Sequence, residues 1–149
     1  SQILTLRKDS TCIMNTVKAF IEIGSDATYS IYVDLEDNTL NYGIHGTGDT
    51  VKEAMEDFKA SYEDMKELHH AKGEYFVEAS FEYCYDTMSF LRFYMDYFSL
   101  EGLSRMTGIH RGQLSNYVDG RKKPSRRTLE RIDQSVHRFA KKLSGVQLL

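Results

Sequence analysis

Between residues 110 and 127 the chain collects His110, Arg111, Gln113, Ser115, Asn116, Arg121, Lys122, Lys123, Arg126 and Arg127. The guanidinium of an arginine matches the paired acceptors on a guanine edge, and the amides of Gln and Asn match the donor and acceptor of adenine. Set along the outer side of one short helix, Arg111, Gln113, Ser115 and Asn116 have the chemistry to read bases in a major groove. The cations Arg121, Lys122, Lys123, Arg126 and Arg127 suit phosphates, which add affinity without sequence information and make that affinity salt-dependent. A basic loop by itself is more often a plain solvated face, so the surrounding residues have to decide.

Those residues describe a scaffold. Leu100, Leu103 and Met106 give one short helix an inner face, and Leu114, Tyr117 and Val118 do the same for a second. Between them Thr107-Gly108-Ile109 reads as a tight turn, in which glycine accepts positive φ and isoleucine plugs the core. Gly120 ends the second helix, and Pro124-Ser125 stops the loop and caps a third. On that last helix Leu129, Ile132, Val136, Phe139, Ala140 and Leu143 recur every three or four residues. The stripe reads as core packing, with a dimer seam as the alternative.

The spacing of Leu103, Gly108-Ile109, Leu114, Tyr117, Gly120, Pro124, Leu129 and Ile132 resembles the Cro and lambda-repressor class of helix-turn-helix, from Met88 onward. The resemblance implies a recognition helix over residues 110–118 with His110 at its N-cap, double-stranded DNA as ligand, and a homodimer or higher homo-oligomer as the acting form.

Charge separates this stretch from what precedes it. Residues 1–98 hold 8 Lys/Arg against 18 Asp/Glu, a balance of −10, and residues 99–149 hold 11 against 4, a balance of +7. Opposite signs argue for two units with different partners, the basic one suited to a polyanion. With 149 residues, 41% of them apolar, the chain is long enough for two small packed units.

The acidic part alternates in the manner of strands. Residues 17–23 (VKAFIEI), 29–35 (YSIYVDL) and 40–45 (LNYGIH) lie about ten residues apart with polar turns between them, which predicts an antiparallel three-strand meander. Gly46-Thr47-Gly48-Asp49 breaks the pattern. Thr50 and Glu53 then form a capping box at the start of a helix whose apolar positions are Val51, Ala54, Met55, Phe58, Tyr62, Met65 and His69, ending near Gly73. Residues 74–83 (EYFVEASFEY) predict a fourth strand, and Asp86 caps an aromatic helix over residues 87–98. Residues 1–15 show no clear period and are left unassigned.

A β-β-β-α-β unit followed by such a helix-turn-helix is similar to the HicB antitoxin family. Gly48-Asp49-Thr50-Val51-Lys52-Glu53-Ala54 carries the resemblance, matching the family's Gly-Asp-Thr-x-x-Glu-Ala helix entry. The strands lack the family's Gly-Tyr and Pro-Asp-Leu-Pro-Gly features. The resemblance implies a first domain like a truncated RNase H fold, which binds a small RNase toxin, HicA. The expectation is therefore an α+β chain: a HicB-like partner-binding or oligomerisation domain over residues 1–85, and an all-α helix-turn-helix domain over residues 86–149. Its function would be sequence-specific repression of transcription. Two alternatives stay open: a stand-alone repressor whose first domain only oligomerises or senses a ligand, and a toxin-neutralising protein without DNA binding.

Catalysis finds little footing. Asp34, Glu36 and Asp37 suggest the paired carboxylates of metal-dependent nucleases, but acids after a strand are most often a turn. His69 and His70 point about 100° apart on a helix and read as partners of the helix C-terminal dipole. Cys84, in an aromatic stretch, reads as a buried thiol, and Cys12 forms no metal-binding spacing with it. The expectation is no enzyme, no metal and no cofactor. No apolar run approaches the roughly 20 residues of a membrane span, and the opening SQILTLRK lacks the pattern of a signal peptide, so the expected setting is a reducing cytoplasm.

Overall fold

The computed structural model describes residues 14–149, so the unassigned residues 1–13 and Cys12 lie outside the described residues. Among these residues the fold is α+β, with a four-stranded mixed sheet and five helices. Alternation builds the sheet: in β1 (Asn15–Ile23), Val17, Ala19 and Ile21 are buried while Lys18 and Glu22 are exposed. β2 (Tyr29–Val33) pairs antiparallel with β1, and β3 (His45–Gly48) antiparallel with β2. β4 (Ala79–Tyr85) lies parallel to β1 on its other side, giving the order β3-β2-β1-β4. A parallel return needs a long crossover. It is supplied by α1 (Val51–Lys72), whose Val51, Ala54 and Phe58 cover Ala19, Ile21 and Ile31. The entry to α1 is close to the expected capping box: Glu53 N–H donates to Thr50 Oγ1 at 3.1 Å, while Glu53 Oε2 reaches back past the cap to Asp49 N–H at 2.9 Å.

Two strands lie later in the chain than alternation predicts. The third covers residues 45–48 instead of 40–45, because Gly46 and Gly48 belong to the ladder and do not break it. α1 rests directly on them. A Cβ at Gly46 would stand 2.6 Å from Phe58 Cβ, so helix and strand can approach this closely only over glycine. Residues 40–44 form a loop whose Leu40, Tyr42 and Ile44 still pack on the core. The fourth strand starts at Ala79 instead of residue 74. The apolar residues before it serve another purpose: Phe76 stacks on Tyr42 at 4.4 Å and meets the edges of Tyr62 and His69. His69, in the last turn of α1 with His70, is thus also a core residue. It is buried, and its Nδ1–H donates to Met65 O at 2.9 Å.

Lys66 Nζ meets Glu78 Oε1 at 2.6 Å, tying α1 to the segment before β4. The pairing holds the Glu78 carboxyl below its usual range and the Lys66 ammonium above its own. Asp34 and Asp37 accept N–H bonds from Glu36 and Thr39, so these carboxylates cap a turn. The bonds from Thr39 keep the Asp37 carboxyl low. Cys84 is half-buried on the sheet face away from α1, not enclosed as expected.

α2 (Thr87–Tyr94) ends four residues short of Phe98, the end that aromatic density predicts. After it Phe98 N–H still reaches Tyr94 O at 2.8 Å, and Ser99 is released to cap the next helix. Asp86 caps α2 with one oxygen, accepting from Ser89 N–H at 2.7 Å, and holds β1 with the other, accepting from Ile23 N–H at 3.1 Å. Three further helices, α3 (Leu100–Thr107), α4 (Arg111–Val118) and α5 (Arg126–Ser144), gather with Leu91 of α2 around Leu103, Ile109, Leu114, Tyr117 and Ile132. Phe93 of α2 turns to the other core, against the sheet. Arg92 braces the join, donating to Val118 O at 3.0 Å and to Tyr29 Oη at 3.4 Å. Among the described residues no helix is long and apolar enough to cross a membrane.

Candidate nucleic-acid interface

The turn from α3 to α4 is tightly pinned. Thr107 is buried; its hydroxyl donates to Leu103 O at 2.7 Å and accepts from Ile109 N–H at 3.2 Å. Ser104 Oγ donates to Ile109 O at 2.6 Å, so both backbone groups of Ile109 are held while its side chain enters the core. Gly108 sits at φ 70°, in the left-handed region, and its N–H closes α3 on Ser104 O at 2.8 Å.

α4 begins at His110, whose Nδ1 accepts from Gly112 N–H at 3.1 Å and so stands in for the usual Ser or Asn cap. Leu114 and Tyr117 anchor the helix, at 0% and 4% exposure. Arg111 and Gln113 are exposed; Ser115 and Asn116 are half-buried. At about 100° per residue, Gly112 and Asn116 lie on the side opposite Leu114. Gln113 Nε2 donates to Tyr117 Oη at 2.6 Å, which steadies its amide and leaves Oε1 as an acceptor.

α4 ends in a Schellman arrangement, with Arg121 N–H on Asn116 O at 2.9 Å and Gly120 N–H on Tyr117 O at 3.3 Å. The loop beyond carries Arg121, Lys122 and Lys123, all exposed, and leads to Ser125, the N-cap of α5. Arg126 and Arg127 open that helix. Two cations have carboxylate neighbours: Arg121 with Asp119 at 3.8 Å, and Arg126 with Glu130 at 3.5 Å. Exposed pairs of this kind are weak and can yield to a phosphate. Among the described residues Lys122, Lys123 and Arg127 have no carboxylate within ion-pair distance.

The structure adds a residue that the spacing argument did not select. Arg131 follows Arg127 by one turn, donates to Gly108 O at 3.5 Å, and joins Arg127, Thr128, Glu130 and Gln134 along an open groove of about 420 Å3. The four-residue interval between Arg127 and Arg131 was the available signal. The side chains named from spacing therefore lie along α4, the loop after it and the first turn of α5, with Arg131 bridging back to the turn. Among the described residues no group of three or more His, Cys, Asp or Glu could hold a metal ion. Comparison of the chain with protein families, with curated proteins and with solved structures finds no match.

Proposed function

We propose that the chain is a sequence-specific DNA-binding transcriptional repressor of HicB antitoxin type, in which α3, the turn and α4 act as a helix-turn-helix. The observation that carries this reading is the pinned turn, which fixes a short helix whose outer side is polar while a cationic loop follows directly. Arg111, Gln113, Ser115 and Asn116 read base edges, with His110 setting the start of the helix. Arg121, Lys122, Lys123, Arg126 and Arg127 hold phosphates on either side. In this reading residues 86–149 are the DNA-binding domain and residues 1–85 a partner-binding or oligomerisation domain. The activity is binding in the cytoplasm, without catalysis.

The acidic unit has a surface for a second macromolecule. Glu53, Glu56, Asp57, Glu63, Asp64 and Glu67 are exposed along α1. A basic protein such as a HicA-type toxin fits that surface by charge. Two-fold DNA sites favour dimeric readers, and Leu129, Phe139 and Leu143 of α5 remain 44%, 36% and 57% exposed, free to join a second α5.

The test is binding of the full chain to duplex DNA from its own promoter and to a scrambled duplex of equal length, across a salt series. Promoter-selective binding is expected, with five phosphate-holding cations giving a log–log salt slope of roughly −4 to −5 per bound protomer. Absence of binding to either duplex at low salt overturns the proposal.

A further inference from the structure

Among the described residues four helices are capped by side-chain oxygens, those of Thr50, Asp86, Ser99 and Ser125, and α4 alone by an imidazole. His110 Nδ1 accepts from Gly112 N–H at 3.1 Å, and a ring nitrogen accepts only while it carries no proton. The bond therefore puts the proton of the neutral ring on Nε2. Gly112 belongs to the same arrangement. A Cβ there would stand 3.2 Å from His110 Nδ1 and 3.5 Å from Cε1, so the missing side chain gives the ring room to fold over the first turn. This accounts for a glycine inside an eight-residue helix, which it otherwise weakens.

We propose that His110 is a proton-operated latch on α4: the neutral ring closes the start of the helix, and proton uptake opens it. Protonation turns Nδ1 from acceptor into donor, so that it meets Gly112 N–H as donor against donor and the bond is lost. The new charge also sits at the positive end of the helix dipole. The charged neighbours oppose it as well. Arg111 follows in the chain, and Arg131 of α5 reaches Gly108 O, two residues before the ring. Of the carboxylates on the flanking helices α3 and α5, Glu101 pairs with Arg105, Glu130 with Arg126 and Asp133 with His137. The charged side chain of α2, Arg92, lies at the far end of α4, on Val118 O. Among the described residues no carboxylate is within ion-pair distance of the His110 ring. Since the capped state holds no proton on Nδ1 and the open state accepts one, the cap is complete at high pH and is lost as pH falls. Imidazole is the side chain that makes this change between about pH 5 and 8. The functional consequence rests on the DNA reading proposed above. Arg111 and Gln113 stand in the first turn of α4 and lose their fixed positions when it opens, while the cations of the following loop keep their charge. Acidification therefore removes discrimination between sequences and spares the hold on phosphates. A histidine that merely gained charge at a DNA surface would do the opposite, adding affinity for every sequence.

Two readouts separate the latch from the DNA reading. In the free full chain, nitrogen NMR of the His110 ring should show the Nε2–H form at about pH 8, and the Gly112 amide resonance should move as the ring gains its second proton. His110→Asn, which caps without titrating, should hold that resonance fixed. With promoter and scrambled duplexes, the specificity ratio should fall roughly three- to tenfold from about pH 8 to about pH 5.5, the loss expected of a missing N-cap. His110→Asn should keep the ratio constant over the same range, and His110→Ala should show the reduced ratio at both ends of it. A ring that carries its proton on Nδ1 at about pH 8, or a Gly112 amide that follows pH equally in His110→Asn, overturns the latch whether or not the chain binds DNA. A specificity ratio that is indifferent to pH, or that changes equally in His110→Asn, overturns it too. Absence of DNA binding at both pH values, together with the expected NMR behaviour, supports the latch and overturns the DNA reading of α4 instead.

Discussion

At the scale of single residues, the proposed reading divides the basic half into side chains that discriminate and side chains that only hold. Arg111→Ala and Asn116→Ala should each cost about 1–3 kcal/mol on the cognate duplex and little on a scrambled one, so the specificity ratio falls. Lys122→Ala should weaken both duplexes alike and make the salt slope shallower by about 1. Titration of the three variants against both duplexes decides this; three identical profiles would mean that α4 does not read bases. The types and order of these residues were legible in the sequence because recognition chemistry is local. Their exposure was not. Ser115 and Asn116 are half-buried. The reach of Arg131 to Gly108 is not legible either, since it joins α5 to the end of α3 across 23 residues.

At the scale of elements, the capping box at Thr50, the cap at Asp86 and the turn at Gly108 could all be read directly, because each is closed by hydrogen bonds within a few residues. The third strand could not. Gly46 and Gly48 look like breakers in a linear pattern, and only the weight of α1 on β3 shows why the positions lack side chains. Gly46→Ala should therefore destabilise the fold by roughly 1–3 kcal/mol through overpacking against Phe58 and the backbone of α1. Gly43→Ala is the matched control: a Cβ there meets nothing within 4 Å, and the change should stay within about 0.5 kcal/mol. Urea unfolding of the two variants checks this. Equal stability would mean that helix and strand have more room than their packing indicates, and that the glycines answer to some other demand.

At the scale of the whole molecule, the division into an acidic and a basic half was visible in the charge count, but the way the halves are joined was not. α2 is eight residues long and serves both cores: Leu91 is buried with Leu103 and Leu114, while Phe93 packs beside Tyr85 toward the sheet. Tyr85, Phe90, Phe93 and Tyr94 touch ring to ring across the boundary, and Arg92 hydrogen-bonds to both sides. A joint made this way couples the stabilities of the two cores, since neither can unfold without exposing aromatic surface of the other. Amides in the middle of β1 and of α4 should then exchange through the same global opening. Phe93→Ala removes a ring that only the sheet core uses fully, and it should cost about 2 kcal/mol, the half-buried share of a core phenylalanine. It should also split the exchange into two levels, with β1 and α4 opening at different free energies. Native exchange that is already at two levels would mean the aromatic joint transmits no coupling between the two cores.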